Sequence, residues 1–117
     1  MPIFDTHAHY NDNAFRKDRE ELLSALPAAG VGAAVIPGVD AESSRSALAL
    51  AESRPWLFAA AGIHPEDCAG CADGDFDAVR ALCAHEKVGA IGEIGLDDYW
   101  AENPPKDFQQ TVFRRQL

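Results

Sequence analysis

Positive charge is scarce in this chain. Ten Lys and Arg residues stand against 19 Asp and Glu, a net charge of −9. That balance excludes capture of a polyanion by bulk attraction, so any phosphate must be met locally, by a metal or by a few placed cations. Cysteine is sparse and odd in number, three in all, which excludes a disulfide framework and fits a reducing, cytoplasmic setting. Cys68 and Cys71 have C-x-x-C spacing, but no second pair accompanies them and their surroundings are rich in Ala, Gly and Asp. They read as loop thiols. No G-x-G-x-x-G or P-loop pattern occurs. The apolar stretch from Pro55 to Pro65 falls far short of the ~20 apolar residues that cross a bilayer. Met1–Asp5 shows neither the basic nor the apolar part of a secretory signal.

What is present is ordinary globular material, 47% hydrophobic and 25% charged. A disordered tail and a fibrous repeat are thereby excluded. A length of 117 residues is room for one small domain or part of a larger one. Four short apolar runs, Pro2–Thr6, Gly32–Pro37, Leu57–Gly62 and Val88–Gly92, fit strands buried on both faces. Between them lie segments with helical spacing. Leu22, Leu23 and Leu26 form one stripe, ended by Gly30. Ala47, Leu48, Leu50 and Ala51 form a second, stopped by Pro55. Phe76, Val79, Leu82 and Cys83 form a third, with Asp75 as a possible N-cap. Pro104-Pro105 opens a fourth helix whose stripe is Phe108, Val112, Phe113 and Leu117. Strict alternation of strand and helix specifies a parallel sheet with crossover helices. The last stripe is still running at Leu117, which reads as a truncated chain; an eight-stranded barrel needs ~250 residues.

The chemistry-bearing residues sit at strand ends. His7 and His9 follow the first strand. Residues i and i+2 on an extended segment point the same way, so two imidazoles converge on one divalent metal. Two solvated loop histidines are the alternative reading of that pair alone. Glu93, set between Gly92 and Gly95 after the fourth strand, is a carboxylate able to bridge two cations, the usual device for hydrolysing phosphoesters. Asp97 follows it as a residue supporting the site or contacting substrate. His64, in Gly62-Ile63-His64-Pro65 at the end of the third strand, is either satisfied by backbone hydrogen bonds or a donor to a substrate oxygen. His85, near the end of the third helix, suits a structural role at a helix C-terminus. Polar, metal-competent groups at three of four strand ends have the layout of an active site on one face of a barrel.

Phe4-Asp5-Thr6-His7-Ala8-His9, Gly62-Ile63-His64-Pro65, Gly92-Glu93-Ile94-Gly95-Leu96-Asp97 and Gln109-x-x-x-Phe113-x-x-Gln116-Leu117 resemble, in order and across the whole chain, the TatD family of metal-dependent hydrolases, which are amidohydrolase-like TIM barrels. The resemblance implies an α/β fold of (β/α)8 type, with residues 1–117 as its N-terminal half, about the first four βα units. It implies two divalent ions (Mg, Mn or Zn), with His7 and His9 on one and Glu93, also the catalytic carboxylate, shared by both. The second ion is then only partly liganded here, because the family's other ligands, two histidines and an aspartate, come from later strands. The implied activity is a deoxyribonuclease that hydrolyses DNA phosphodiesters, with His64 and Asp97 binding substrate. Relatives linked to removing D-amino acids from tRNA keep an aminoacyl-tRNA ester open as substrate. A non-catalytic metal- or phosphate-binding α/β module is the reading from another class. The chain taken alone is expected to be inactive or nearly so, to self-associate through unpaired strands, and to have no membrane partner.

Overall fold

A computed structural model describes residues 1–117. The strands are β1 (Ile3–Asp5), β2 (Val31–Pro37), β3 (Leu57–Ala61) and β4 (Val88–Ile91). Helices α1 (Arg19–Ala25), α2 (Ala41–Glu52) and α3 (Asp73–Cys83) connect them, and α4 (Lys106–Gln116) follows. Short 3₁₀ turns occupy Asn13–Phe15 and Cys68–Gly70. All neighbouring strands pair in parallel, in the order β1-β2-β3-β4. The expected strand–helix alternation is therefore present, as four parallel strands with crossover helices. No helix is long and apolar enough to cross a membrane.

Alternation along the strands divides the sheet into two faces. Ala34, Ile36, Leu57 and Ala59 are fully buried and form one core cluster with Leu23, Ala47 and Ala51 of the helices. Ala61 and Ile63 join Phe76, Val79 and Val112 in a second cluster. The opposite face is open. Phe4 is 59% exposed and Ile91 47%, while Val35 and Phe58 are half-buried. Burial on both faces, read from the near-continuous apolar runs, thus holds for the helix side only. Together with His7 and Glu93 at its mouth, this face encloses a hollow of about 540 Å³. At the opposite end, Lys87 Nζ donates to the carbonyls of Arg54, Pro55 and Leu57 at 2.9–3.0 Å and lies 5.0 Å over the Phe58 ring.

Two helix expectations change in detail. Asp75 is the third residue of α3 rather than its N-cap, yet its carboxylate accepts the Ala72 N–H at 2.8 Å and so still satisfies the helix start. On α4 the buried positions are Gln109 and Val112, whereas Phe108 and Leu117 are exposed. Gln109 exchanges hydrogen bonds with the backbone of Asp97, and Gln116 with that of Ile63. Side-chain amides carry both a donor and an acceptor, so α4 docks on loop backbone that apolar residues would leave unsatisfied.

Candidate metal centre

In a parallel sheet every strand ends on the same side, so the segments after β1, β2, β3 and β4 meet there. The first of these is shaped by Asp5, whose Oδ1 accepts the His7 N–H at 3.1 Å. Its carboxylate also faces the hydroxyl of the buried Tyr10; burial, then the Asp5 charge, pushes that phenol up. Ala8 N donates to Val35 O at 3.0 Å, which ties the His7–His9 segment to β2. The two imidazoles meet edge to face, ring centroids 4.9 Å apart and planes at 74°.

Glu93 arrives from β4. Its N–H donates to Gly38 O at 2.6 Å and Gly92 N–H to Ala61 O at 3.0 Å. Room for this chain path is made by Gly62: a Cβ there would stand 2.7 Å from Gly92 C and Glu93 O. Behind it, the fully buried Ser44 of α2 both donates to Gly62 O (3.3 Å) and accepts from Gly62 N (3.2 Å). A Cβ on Gly38 would in turn meet Ser44 Oγ at 2.2 Å. Small residues thus stack α2, β3 and β4 closely enough to aim Glu93.

The result is a three-donor cluster. His7 Nε2 and His9 Nε2 are 3.1 Å apart, Glu93 Oε1 lies 3.6 Å from His7 Nε2, and Glu93 Oε2 lies 3.3 Å from His9 Nε2. These ligand atoms all fall within 4.8 Å of one another. Donors held ~2.1 Å from one ion stand roughly 3.0–3.4 Å apart in octahedral or tetrahedral sites. The donor set of two imidazoles and a carboxylate suits a borderline divalent cation in chemistry; the 3.1 and 3.3 Å separations fall in that range, and the 3.6 Å one lies outside it.

The other sequence candidates lie outside this cluster. His64 is half-buried in the loop after β3; its backbone N–H donates to Val39 O at 2.7 Å and its Nδ1 accepts the Glu66 N–H at 3.2 Å. Asp97 is half-buried in the loop after Glu93, where its Oδ1 accepts from Tyr99 N and Asn103 Nδ2. His85 pairs with Glu52 at 3.2 Å, as a structural residue does. Cys68 and Cys71 form no metal cluster; burial pushes both thiols up, and Cys68 Sγ donates to Pro65 O. Asp5, Ser44, Gly38 and Gly62 were not anticipated as supports. A signal for Ser44 exists: with Ala41, Ala47 and Ala51 it lies on the buried stripe of α2, where a hydroxyl needs a backbone partner.

The family model described as TatD related DNase matches residues 4–117. The uncharacterized metal-dependent hydrolase YabD of Bacillus subtilis is 40% identical over 115 residues, covering 98% of this chain and 45% of the relative. The 3′-5′ ssDNA/RNA exonuclease TatD of Salmonella typhimurium is 34% identical, covering 98% and 44%. Among solved structures, YjjV, a TatD homologue from Escherichia coli, superposes with a TM-score of 0.87 at 34% identity, covering 97% of this chain and 44% of that one. An uncharacterized amidohydrolase of Saccharomyces cerevisiae, 21% identical, shares the fold with a TM-score of 0.86. The chain spans about 45% of the length of the curated relatives it matches.

Proposed function

The chain belongs to the TatD-related DNase family, and from that membership we propose that the whole protein is a divalent-metal-dependent hydrolase of DNA phosphodiesters acting on single strands. Residues 1–117 then form the first half of a (β/α)8 barrel. Four parallel strands and the 45% share of the relatives' length support that reading. The observation that carries the function is the convergence of His7 Nε2, His9 Nε2 and both Glu93 oxygens.

His7 and His9 would hold one ion through Nε2, which places their protons on Nδ1. Glu93 would share its carboxylate between that ion and a second, whose remaining ligands lie outside these residues. Magnesium, manganese or zinc, when bound, supplies an activated water and polarises a phosphoryl oxygen. Metal charge also supplies positive potential where the net charge of −9 repels nucleic acid. Because His64 Nδ1 accepts from Glu66 N, its proton sits on Nε2, which is thereby a donor for a substrate phosphoryl oxygen. Asp97 orders the loop that follows Glu93 and presents that loop to the strand. The free thiols support a reducing, cytoplasmic setting.

The test is Mn²⁺-dependent shortening of a labelled single-stranded oligonucleotide by the whole protein. Chelation should stop it. Glu93→Ala should slow it at least about a thousandfold, the several kcal/mol a Lewis acid provides. The 117-residue chain alone should give no more than trace turnover. Shortening that needs no metal, or survives in Glu93→Ala, contradicts the reading.

A further inference from the structure

Glu93 and His64 stand in loops after neighbouring strands, and one helix reaches both loops. Glu93 is anchored upstream, where its own N–H donates to Gly38 O at 2.6 Å. Gly92 and Gly95 flank it, and Gly95 turns at φ +137°. Glycines on both sides leave the chain free to swing, so holding Glu93 takes a second anchor downstream. Gln109 of α4 is that anchor. Its Oε1 accepts the Asp97 N–H at 2.8 Å, and its Nε2 donates to Asp97 O at 2.9 Å and Pro104 O at 2.7 Å. The side chain is only 2% exposed, a position where an apolar residue would bury as much surface at no polar cost.

The approach to His64 is held residue by residue. Gly62 exchanges both backbone bonds with the Ser44 hydroxyl of α2. Ile63 exchanges both with Gln116 of α4: Oε1 accepts the Ile63 N–H at 2.7 Å and Nε2 donates to Ile63 O at 3.0 Å. His64 N–H then donates to Val39 O. An amide that donates and accepts at one residue fixes its orientation as well as its place. Gln109 and Gln116 are seven residues apart on α4, two turns along one face, so roughly 10 Å of helix separates the two anchors.

Resting on the hydrolase reading above, we propose that α4 is a spacer that sets the offset between Glu93, on the ion, and His64, on the substrate phosphoryl oxygen, through the paired backbone bonds of Gln109 and Gln116. Both glutamines are positioning residues, and they act on different events. Gln109 governs metal affinity because it holds the loop that carries Glu93. Gln116 governs substrate engagement because it holds the residue before His64. A purely structural role would couple both events to stability alone.

The whole protein tests this in Gln109→Met and Gln116→Met, which keep side-chain length and remove the amide. Both should lower Tm, since each leaves backbone groups unpaired; the functional losses should divide. Gln109→Met should weaken Mn²⁺ binding roughly 10- to 100-fold and leave KM for a labelled single-stranded oligonucleotide at saturating Mn²⁺ unchanged. Gln116→Met should leave Mn²⁺ affinity unchanged and raise that KM about tenfold at constant kcat, the mark of one lost binding contact. In the metal-free protein, Gln116→Met should shift the NMR signals of the His64 ring nitrogens and Gln109→Met should not. The wild type gives a measurement free of any folding defect: Mg²⁺ added to the metal-free protein should move the side-chain amide signals of Gln109 and leave those of Gln116 in place. Losses of affinity and of KM that follow Tm alike in both variants, or Mg²⁺ shifts at both amides or at neither, overturn the assignment. A wild type that binds Mn²⁺ but turns over no oligonucleotide sinks the hydrolase reading alone, and the Mg²⁺ and His64 signals then decide the role of α4.

Discussion

At the scale of the residue, the proposed metal centre depends as much on what is small as on what would ligate. His7, His9 and Glu93 supply the donor atoms, but Gly62 supplies the space through which Glu93 reaches them. Gly62→Ala sets a Cβ 2.7 Å from backbone atoms of Gly92 and Glu93, so backbone rather than a flexible side chain must move. Mn²⁺ affinity, read by calorimetric titration, should fall roughly 10- to 100-fold, the range found for groups that orient ligands. Unchanged affinity would remove Gly62 from the support of the site. The clustering of His7, His9 and Glu93 was legible in the sequence because an H-x-H pair and an acid between glycines follow strand-like runs. Gly62 and Ser44 were not, because their effect is exerted on a neighbouring strand that local pattern does not identify. His64 shows the limit from the other side. Its position at a strand end was readable, but the Glu66 N–H that its Nδ1 accepts was not.

At the scale of the element, α2 begins on a reciprocal cap: Asp40 Oδ1 accepts Ser43 N at 2.7 Å, and Ser43 Oγ accepts Asp40 N at 3.0 Å. Burial opposes ionisation of Asp40, but its bonds to the Ser43 hydroxyl and backbone outweigh that and hold the carboxyl below the usual range. A carboxyl lowered in the folded state stabilises it above the unfolded value, near 4, and loses that effect as pH falls through the folded value. Asp40→Ala should therefore cost about 1 kcal/mol at pH 7 in urea denaturation, and the difference from wild type should shrink in acid. A gap constant from pH 7 to pH 3 would contradict this origin. The helices were readable from their periodicity because their apolar stripes face a core. On α4 that reasoning is incomplete: Gln109 and Gln116 are the docking residues, and a 3.6-residue pattern of apolar side chains does not register amides that bind backbone.

At the scale of the whole molecule, one face of the sheet is covered and the other is not. Ile3, Phe4 and Ile91 are exposed on the edge strands β1 and β4. Exposed apolar side chains beside unpaired strand edges promote association. In sedimentation velocity at micromolar concentration, the 117-residue chain should run heavier than a monomer, and Phe4→Glu should shift it back towards one. A monodisperse monomer throughout that range would contradict the expectation. Parallel topology was readable from alternating runs and helices; the uneven burial of the strands was not, because a run of apolar residues does not say which of its faces finds a partner.

On the proposed function, one divalent ion is held jointly by the segment after β1 and the segment after β4. Crystals soaked in Mn²⁺ test it through an anomalous difference map. A peak about 2.0–2.3 Å from His7 Nε2, His9 Nε2 and a Glu93 oxygen is the expected result. A map with no peak among those three atoms, or with manganese bound only elsewhere, would contradict it.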